Sequence, residues 1–421
     1  MGPGRRFALV AGVAAIASVA GAQPAGPRIT GPIAVYWMSA ATQTGFGMPG
    51  AGGGGRPDAG AMMRAMMGGG GGAANKSLTL QLGSSQTNPA PAADHLPPQG
   101  LGAGPDLPLV TPRPVSTPPV EHGPSDIPRE FQKPRGKMLI FWGCGEHARP
   151  GQPVVIDFAT LSAGNPAAAM AAFKGLDVRP MQPPSAYRNK TYGDWPNERT
   201  KTQVPSNGSL VGQHTIKGNY SPQISFTLEE DQDFLGPLNL TTNAKAPGGW
   251  VNLGWNLVGN AQAYLATALG GGQDTVVMWT SSETQSAAFA MPDYLSQGDI
   301  NRLVASRALM GPATRTCAVP KEVLDAMPQG LVQLAAYGGE ANFVYPPRPA
   351  DPKAVWNQQW AVKVRYRSAT GALLGMAMPS GGGRGGYEPP PGAAQPQPGQ
   401  PPRKPRATDI LKGLPGLPFP R

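Results

Sequence analysis

Residues 253–264 read LGWNLVGNAQAY, and this stretch decides the fold that we expect for the chain. Apolar and aromatic side chains lie on both sides of a Gly-Asn turn, in Val251–Trp255 and in Ala263–Leu269. Short runs of this kind bounded by turn residues are typical of neighbouring β-strands. The stretch therefore predicts two strands, with Trp255 on the first and Tyr264 on the second.

Further short apolar runs lie on both sides of this stretch, each bounded by Gly, Pro or Asn. Ser296, Asp299 and Pro320 interrupt them with helix-start signals, which predict a helical insertion over residues 296–327. Seven strands are expected in all: 209–217, 224–228, 251–255, 263–269, 275–280, 331–337 and 360–366.

The Trp255 and Tyr264 pattern resembles the second and third strands of fibronectin type III and similar immunoglobulin-like domains, where such a pair fills the sandwich centre. The resemblance covers roughly residues 222–367. It implies a β-sandwich domain that binds a partner or acts as a spacer. It implies no catalytic residue in this chain. Two features depart from the family: the helical insertion, and Tyr337, which closes its strand rather than opening it.

Four more strands are predicted nearer the N-terminus, at residues 33–38, 77–82, 138–142 and 154–158. We expect them to form a small sheet of their own. The predicted fold class is thus mostly β: an immunoglobulin-like sandwich with a helical insertion, a small N-terminal sheet, and long disordered Gly/Pro-rich segments. The expected divisions are a signal peptide (1–22), a small β domain (23–175), a connecting loop (176–208), the sandwich (209–370) and a basic tail (371–421).

The composition supports those disordered segments. The chain has 58 glycines and 50 prolines among 421 residues, about twice the usual share. They concentrate in a Gly/Met-rich insertion (45–73), a Pro-rich insertion (89–128) and the tail. Such sequence cannot bury enough apolar area to offset its chain entropy.

The first residues predict export. Arg5 and Arg6 precede an apolar run, 7–20, and an Ala-Gly-Ala site at residues 20–22, the arrangement of a secretory signal peptide. Its removal would lower the formal net charge from +10 to +8. We expect a periplasmic or extracellular protein without a membrane-spanning segment after cleavage, whose basic charge favours anionic envelope components rather than nucleic acid.

Cys144 and Cys317 are the two cysteines of the chain. In an oxidising compartment a lone pair predicts one disulfide. An alternative starts from residues 143–147, GCGEH, where thiol, carboxylate and imidazole could form a metal site or a Cys-His nucleophile pair.

Residues 187–199 interleave aromatic, charged and amide side chains on a predicted loop. Aromatic rings can stack on a pyranose while polar groups bind its hydroxyls, so the candidate ligand-binding residues are Tyr187, Tyr192, Asp194 and Trp195. The alternative is that these aromatics anchor the connection to the sandwich.

Met62, Met63, Met66 and Met67 could offer thioethers to Cu(I), although a Met-rich spacer is the simpler interpretation. The sequence holds no nucleophile elbow, phosphate loop, dinucleotide fingerprint or zinc-protease motif. We therefore assign no catalytic residue and no cofactor.

The sequence favours an exported binding or scaffolding protein of the cell envelope, associated with a glycan or the cell wall, rather than an enzyme. One alternative is a glycan-active or metal-dependent secreted enzyme, and another is an extracytoplasmic copper-binding protein. The basic tail, with an apolar segment at residues 408–419, is expected to make a peripheral contact with a partner or the membrane surface.

Overall fold

The computed structural model describes residues 29–45, 74–112, 136–158, 178, 180–200, 202–272, 274–285, 291–351 and 353–376. This part of the chain is mostly β, as predicted, and its strands form several sheets. None of its helices has the length and apolar character needed to cross a membrane. The signal peptide, the methionines of residues 62–67 and the tail beyond residue 376 lie outside the described residues.

Eighteen strands and two α-helices make up the described fold. The strands are β1 (Ile29–Thr30), β2 (Ala34–Gly45), β3 (Asn75–Ser84), β4 (Ala93–Leu96), β5 (Leu107–Pro108), β6 (Lys137–Trp142), β7 (Val154–Asp157), β8 (Thr191–Trp195), β9 (Gly212–Gly218), β10 (Ile224–Leu228), β11 (Leu240–Lys245), β12 (Val251–Trp255), β13 (Ala261–Gly272), β14 (Thr275–Thr280), β15 (Thr316–Val319), β16 (Gly330–Tyr345), β17 (Trp356–Asn357) and β18 (Trp360–Leu373). The helices are α1 (Gln297–Ala305) and α2 (Lys321–Ala326).

The seven strands predicted between residues 209 and 366 are all present, with moderately different ends. Helix α1 begins where the capping signature predicts it, because the Ser296 side chain accepts a hydrogen bond from the backbone N–H of Asp299. The predicted helical insertion is thus confirmed, and its two helices are separated by strand β15.

Nine of the strands form one large mixed sheet in the order β7-β6-β14-β13-β16-β18-β2-β3-β8. Most neighbours are antiparallel, but β14 pairs with β6 and β18 pairs with β2 in parallel. A four-stranded sheet (β10-β9-β4-β5), a three-stranded sheet (β11-β12-β15) and the short parallel pair β1 and β17 complete the described strands.

The four predicted N-terminal strands do not form a sheet of their own. Strands β2, β3, β6 and β7 join β13, β14, β16 and β18 in the large sheet, so strands from both sides of the expected 176–208 connection hydrogen-bond directly. The reason lies in the backbone hydrogen bonds. Without β2, one edge of β18 would have unpaired N–H and C=O groups, and without β6 the same would hold for β14.

Part of the predicted Pro-rich insertion is ordered strand. Ala93–Leu96 lies between β9 and β5 in the four-stranded sheet, although residues 89–128 were expected to be disordered. The segment 93–96 contains no proline, so all of its backbone N–H groups can donate, and Pro108 lies on the edge strand β5. Residues 113–135 of the same insertion lie outside the described residues.

The two smaller sheets cover one face of the large sheet. A single core cluster contains Tyr36 and Val364 from the large sheet, Ile216 from the four-stranded sheet and Leu253 from the three-stranded sheet. The opposite face carries Leu265 and Tyr337, which form a second cluster with Ile300 and Leu303 of α1. The architecture is therefore a sandwich with a helix on its outer face.

Trp255 and Tyr264 pack against each other between two sheets. Both are buried, one on β12 of the three-stranded sheet and one on β13 of the large sheet, with ring centroids 5.8 Å apart. The pair thus contributes to the contact between two sheets, as expected.

The disulfide Cys144–Cys317 is present, with Cα atoms 5.2 Å apart. Cys144 follows β6 in the large sheet, and Cys317 lies in β15 of the three-stranded sheet. The bond therefore joins two sheets across a sequence separation of 173 residues.

Candidate binding site

The residues predicted to bind a glycan do not form an exposed aromatic surface. Residues 191–195 are strand β8, at an edge of the large sheet, rather than a loop. Tyr192 and Trp195 are buried, whereas Tyr187 is exposed. Burial covers the ring faces that stacking on a sugar would require, so Tyr192 and Trp195 instead anchor this part of the chain.

The polar groups of β8 bind one another. The Tyr192 hydroxyl donates to Asp194 Oδ2 (3.1 Å), and Gln81 Nε2 donates to the same hydroxyl (3.2 Å). Burial raises the pKa of both Tyr192 and Asp194. Asp194 is half-buried and already accepts a hydrogen bond, so it belongs to a local network on the outer face of β3 and β8.

The metal-site and nucleophile interpretations of residues 143–147 both require a free thiol at Cys144, and Cys144 has none in this structure. Cys144 is bonded to Cys317, so it cannot serve as a ligand or nucleophile in this state. His147 Nδ1 lies 3.0 Å from Glu322 Oε1 on the surface. Among the described residues, no group of three or more His, Cys, Asp or Glu side chains could hold a metal ion.

The structure instead brings two aromatic residues together where β16 ends and β18 begins. Tyr345 closes β16, Trp360 opens β18, and the two face each other in the antiparallel register. Their rings stack with centroids 5.6 Å apart and planes 16° from parallel. Trp360 is buried at the edge of the core, and Tyr345 lies outside it.

The connection between these strands adds a second indole. Trp356 lies in β17, which pairs with β1, and its Nε1 donates to the Pro346 carbonyl oxygen (2.9 Å). The guanidinium carbon of Arg348 lies 5.9 Å from the Trp356 ring centroid, at cation–π distance. We call Tyr345, Trp356, Trp360 and Arg348 the terminal platform.

Close backbone contacts hold the terminal platform. The Gln359 N–H donates to the Tyr345 carbonyl (2.8 Å), and the Gln358 N–H donates to Thr30 (2.9 Å). Gly31 has φ +84°, and a Cβ there would lie 2.2 Å from the Gln358 carbonyl oxygen. Glycine at position 31 is therefore needed for β1 to approach β17.

The platform is open to solvent and mixed in character. Tyr345 is 46% exposed, and nearby Val355 and Ile29 are 47% and 53% exposed. The amide side chains of Asn357 and Gln359 are exposed beside them. A planar ligand with one apolar face and several hydroxyl groups fits this combination of aromatic, amide and guanidinium groups.

The sequence held a signal for this site. Residues 356–360 read WNQQW, an alternation of indoles with amides like that which drew attention to residues 187–199. The apolar pattern predicts a strand at Trp360 but no role for Trp356 or Tyr345, because only the fold brings Tyr345 opposite Trp360.

A shallow groove of about 570 Å³ lies between the start of β13 and α1. Asn260, Gln262 and Asn301 line it, and Gln297 Nε2 donates to both Gln262 Oε1 and Asn301 Oδ1 (3.0 Å for the latter). The groove is uncharged and contains no aromatic residue among its lining groups.

A second polar cluster is fully buried between the large and the four-stranded sheet. Tyr36 hydrogen-bonds to His95 Nδ1, His95 Nε2 lies 3.0 Å from His214 Nδ1, and His214 Nε2 lies 2.7 Å from the Leu210 carbonyl oxygen. Phe226 stacks on His214 at 5.1 Å. Burial lowers the pKa of both imidazoles, that of His214 to about 4. With no solvent access, this cluster stabilises the interior rather than binding a ligand.

No protein-family model matches this chain, and neither the curated proteins nor the solved structures include a significant match to it.

Proposed function

We propose that this chain is an exported, non-enzymatic binding protein of the cell envelope that holds a glycan on the terminal platform. The signal-peptide pattern and the lone disulfide support export. The net charge of +8 expected after cleavage supports a location among anionic envelope components. Binding or scaffolding through a fixed surface needs no cofactor.

The exposed Tyr345 ring carries the proposal. One of its faces stacks on Trp360, which restricts ring motion, while 46% of the residue remains open to solvent. An aromatic ring fixed in this way loses little side-chain entropy when a sugar stacks on it. The Asn357 amide oxygen accepts from Thr30 Oγ1, so the Asn357 NH2 group and the Gln359 amide are the neighbouring groups that can bind sugar hydroxyls.

The experiment is a glycan array probed with the mature protein, residues 23–421, followed by titration calorimetry with the best ligand. Tyr345→Ala should weaken binding about fivefold, because stacking contributes on the order of 1 kcal/mol. Tyr187→Ala is the matched control, since it removes an exposed tyrosine from the segment that sequence analysis favoured. Both variants should remain folded, and Tyr345→Ala should melt only slightly lower than the parent because it loses the stacking on Trp360.

Each result decides the proposal. Loss of affinity in Tyr187→Ala but not in Tyr345→Ala would move the site to residues 187–199 and overturn the platform assignment. Absence of binding to every glycan would overturn the function. A proline-rich peptide that binds where glycans do not would make the platform a peptide-recognition surface, since aromatic grooves also bind polyproline helices.

A further inference from the structure

Arg348 gives the terminal platform a fixed positive charge. It follows Tyr345 by three residues, its guanidinium lies over Trp356 at 5.9 Å, and it is exposed. No acidic side chain within the described residues forms an ion pair with it. Its N–H groups are therefore available to an anion from outside.

The other charges of the connecting loop do not neutralise this position. Asp351 Oδ1 accepts a hydrogen bond from the backbone N–H of Lys353 (2.8 Å), so it caps its own turn. Residues 346–355 carry Arg348 and Lys353 against Asp351, a net charge of +1. Lys353 is exposed as well, and no aromatic ring in the described part of the chain contacts its ammonium group.

A guanidinium held by stacking matches a carboxylate better than a mobile ammonium does. Its planar fork can donate two parallel hydrogen bonds to one carboxylate, and stacking on Trp356 restricts the orientation of that fork. A uronic acid has its carboxyl group at the edge of the pyranose ring, so a uronic acid stacked on Tyr345 would direct that group toward the part of the platform that contains Trp356 and Arg348. Neutral sugars would stack equally well but would leave the guanidinium unused.

We infer that the terminal platform selects acidic saccharides, with Arg348 binding the carboxylate of a uronic acid or a similar carboxyl sugar. The inference rests on the proposed function, because it names the ligand class of the same site. Tyr345 supplies affinity for any sugar ring, and Arg348 supplies the preference for the charged ring.

The test compares an oligogalacturonate with the same oligomer after chemical reduction of its carboxyl groups to alcohols. The parent protein should bind the acidic form at least tenfold more tightly in low salt. Arg348→Gln keeps the aliphatic stem and a hydrogen-bond donor but removes the charge, so it should lower affinity for the acidic form to that for the reduced form. Lys353→Gln removes an equal charge from the same loop and should leave the preference intact.

The variants separate the two proposals. Equal affinity of the parent protein for both oligomers, lost in Tyr345→Ala, would overturn the selectivity and leave the glycan function standing. If Lys353→Gln loses the preference for the acidic oligomer as fully as Arg348→Gln does, the preference reflects general attraction between opposite charges. This result would also overturn the role of Arg348. If the protein binds neither oligomer and no other glycan on the array, both proposals are wrong.

Discussion

His95 Nε2 lies 3.0 Å from His214 Nδ1, and the partners at each end fix the proton positions between them. The Leu210 carbonyl can only accept, so His214 Nε2 carries its proton and His214 Nδ1 accepts from His95 Nε2–H. His95 Nδ1 then accepts from the Tyr36 hydroxyl. Both imidazoles are neutral, and every ring nitrogen is satisfied without water.

This arrangement predicts loss of stability in acid. Burial lowers the folded-state pKa of His95 well below 6.5 and that of His214 to about 4. The unfolded chain binds these protons first, so stability is full above pH 6.5 and falls as the pH drops toward 4. For His214, the difference between 6.5 and about 4 corresponds to about 3 kcal/mol. Guanidinium unfolding at several pH values would measure it.

Matched variants identify the source of the acid sensitivity. His147→Gln removes an exposed histidine that contacts Glu322, and the acid sensitivity assigned to the buried pair should persist in this variant. Replacing both His95 and His214 by Gln should lower stability at pH 7.5 and flatten the dependence between pH 6.5 and 4. An unchanged slope in the double variant would show that other groups cause the acid sensitivity.

The local fold could be predicted from the sequence, but the pairing of distant strands could not. Alternation and turn residues placed the strands around Trp255, because period two reflects which face is buried. The same pattern does not specify which strands pair with each other. Trp360 lies opposite Ala34 and Met278 lies opposite Ile140, across hundreds of residues and through parallel pairings that no local turn specifies.

The candidate site shows the same limit. Tyr192 and Tyr345 both lie in strands and have a proline within the next four residues, yet the first is buried and the second is exposed. Aromatic residues serve equally as anchors and as binding surfaces, so composition alone cannot separate the two uses. Tyr192 is buried and hydrogen-bonds to Gln81 and Asp194, whereas Tyr345 lies at the end of β16 outside the core.

The disulfide should contribute a large part of the stability. Its loop spans 173 residues, for which the chain-entropy estimate is about 5 kcal/mol. A Cys144→Ala/Cys317→Ala double variant should therefore unfold at markedly lower denaturant concentration. Thiol labelling of the denatured, unreduced parent should detect no free thiol, and two labelled cysteines in protein recovered from the envelope would contradict the pairing.

Trp255 should be among the most sensitive core positions. It is buried against Tyr264 between two sheets, so Trp255→Ala should cost about 3–5 kcal/mol. No described residue accepts a hydrogen bond from its Nε1, so Trp255→Phe loses packing alone and should cost much less. Trp250, which is half-buried and directly precedes β12, is the control, and its replacement by Ala should change the unfolding midpoint less than Trp255→Ala does. Equal effects of Trp255→Ala and Trp250→Ala would contradict this account of the core.

The tail is expected to be dispensable for folding. The described part of β18 ends at Leu373, three residues beyond the predicted sandwich boundary, and Asn243 Nδ2 donates to the carbonyls of Leu373 (2.7 Å) and Met376 (3.0 Å). These two hydrogen bonds hold the C-terminal end of β18, upstream of Ser380. Residues 381–421 contain 20 Gly or Pro and carry a net charge of +4. Such sequence buries too little apolar area for the fold to depend on it.

A mature protein truncated after Ser380 should therefore melt like the full-length form but leave envelope fractions at lower salt. Basic residues and the apolar side chains of Ile410, Leu411, Leu414 and Leu417 supply two weak membrane signals, and each is insufficient alone. Full-length protein with Leu411→Ser and Leu414→Ser keeps the charge, so it isolates the apolar contribution. Equal retention of all three proteins across a salt series would contradict the peripheral role, and a lower melting temperature after truncation would show that the fold depends on the tail.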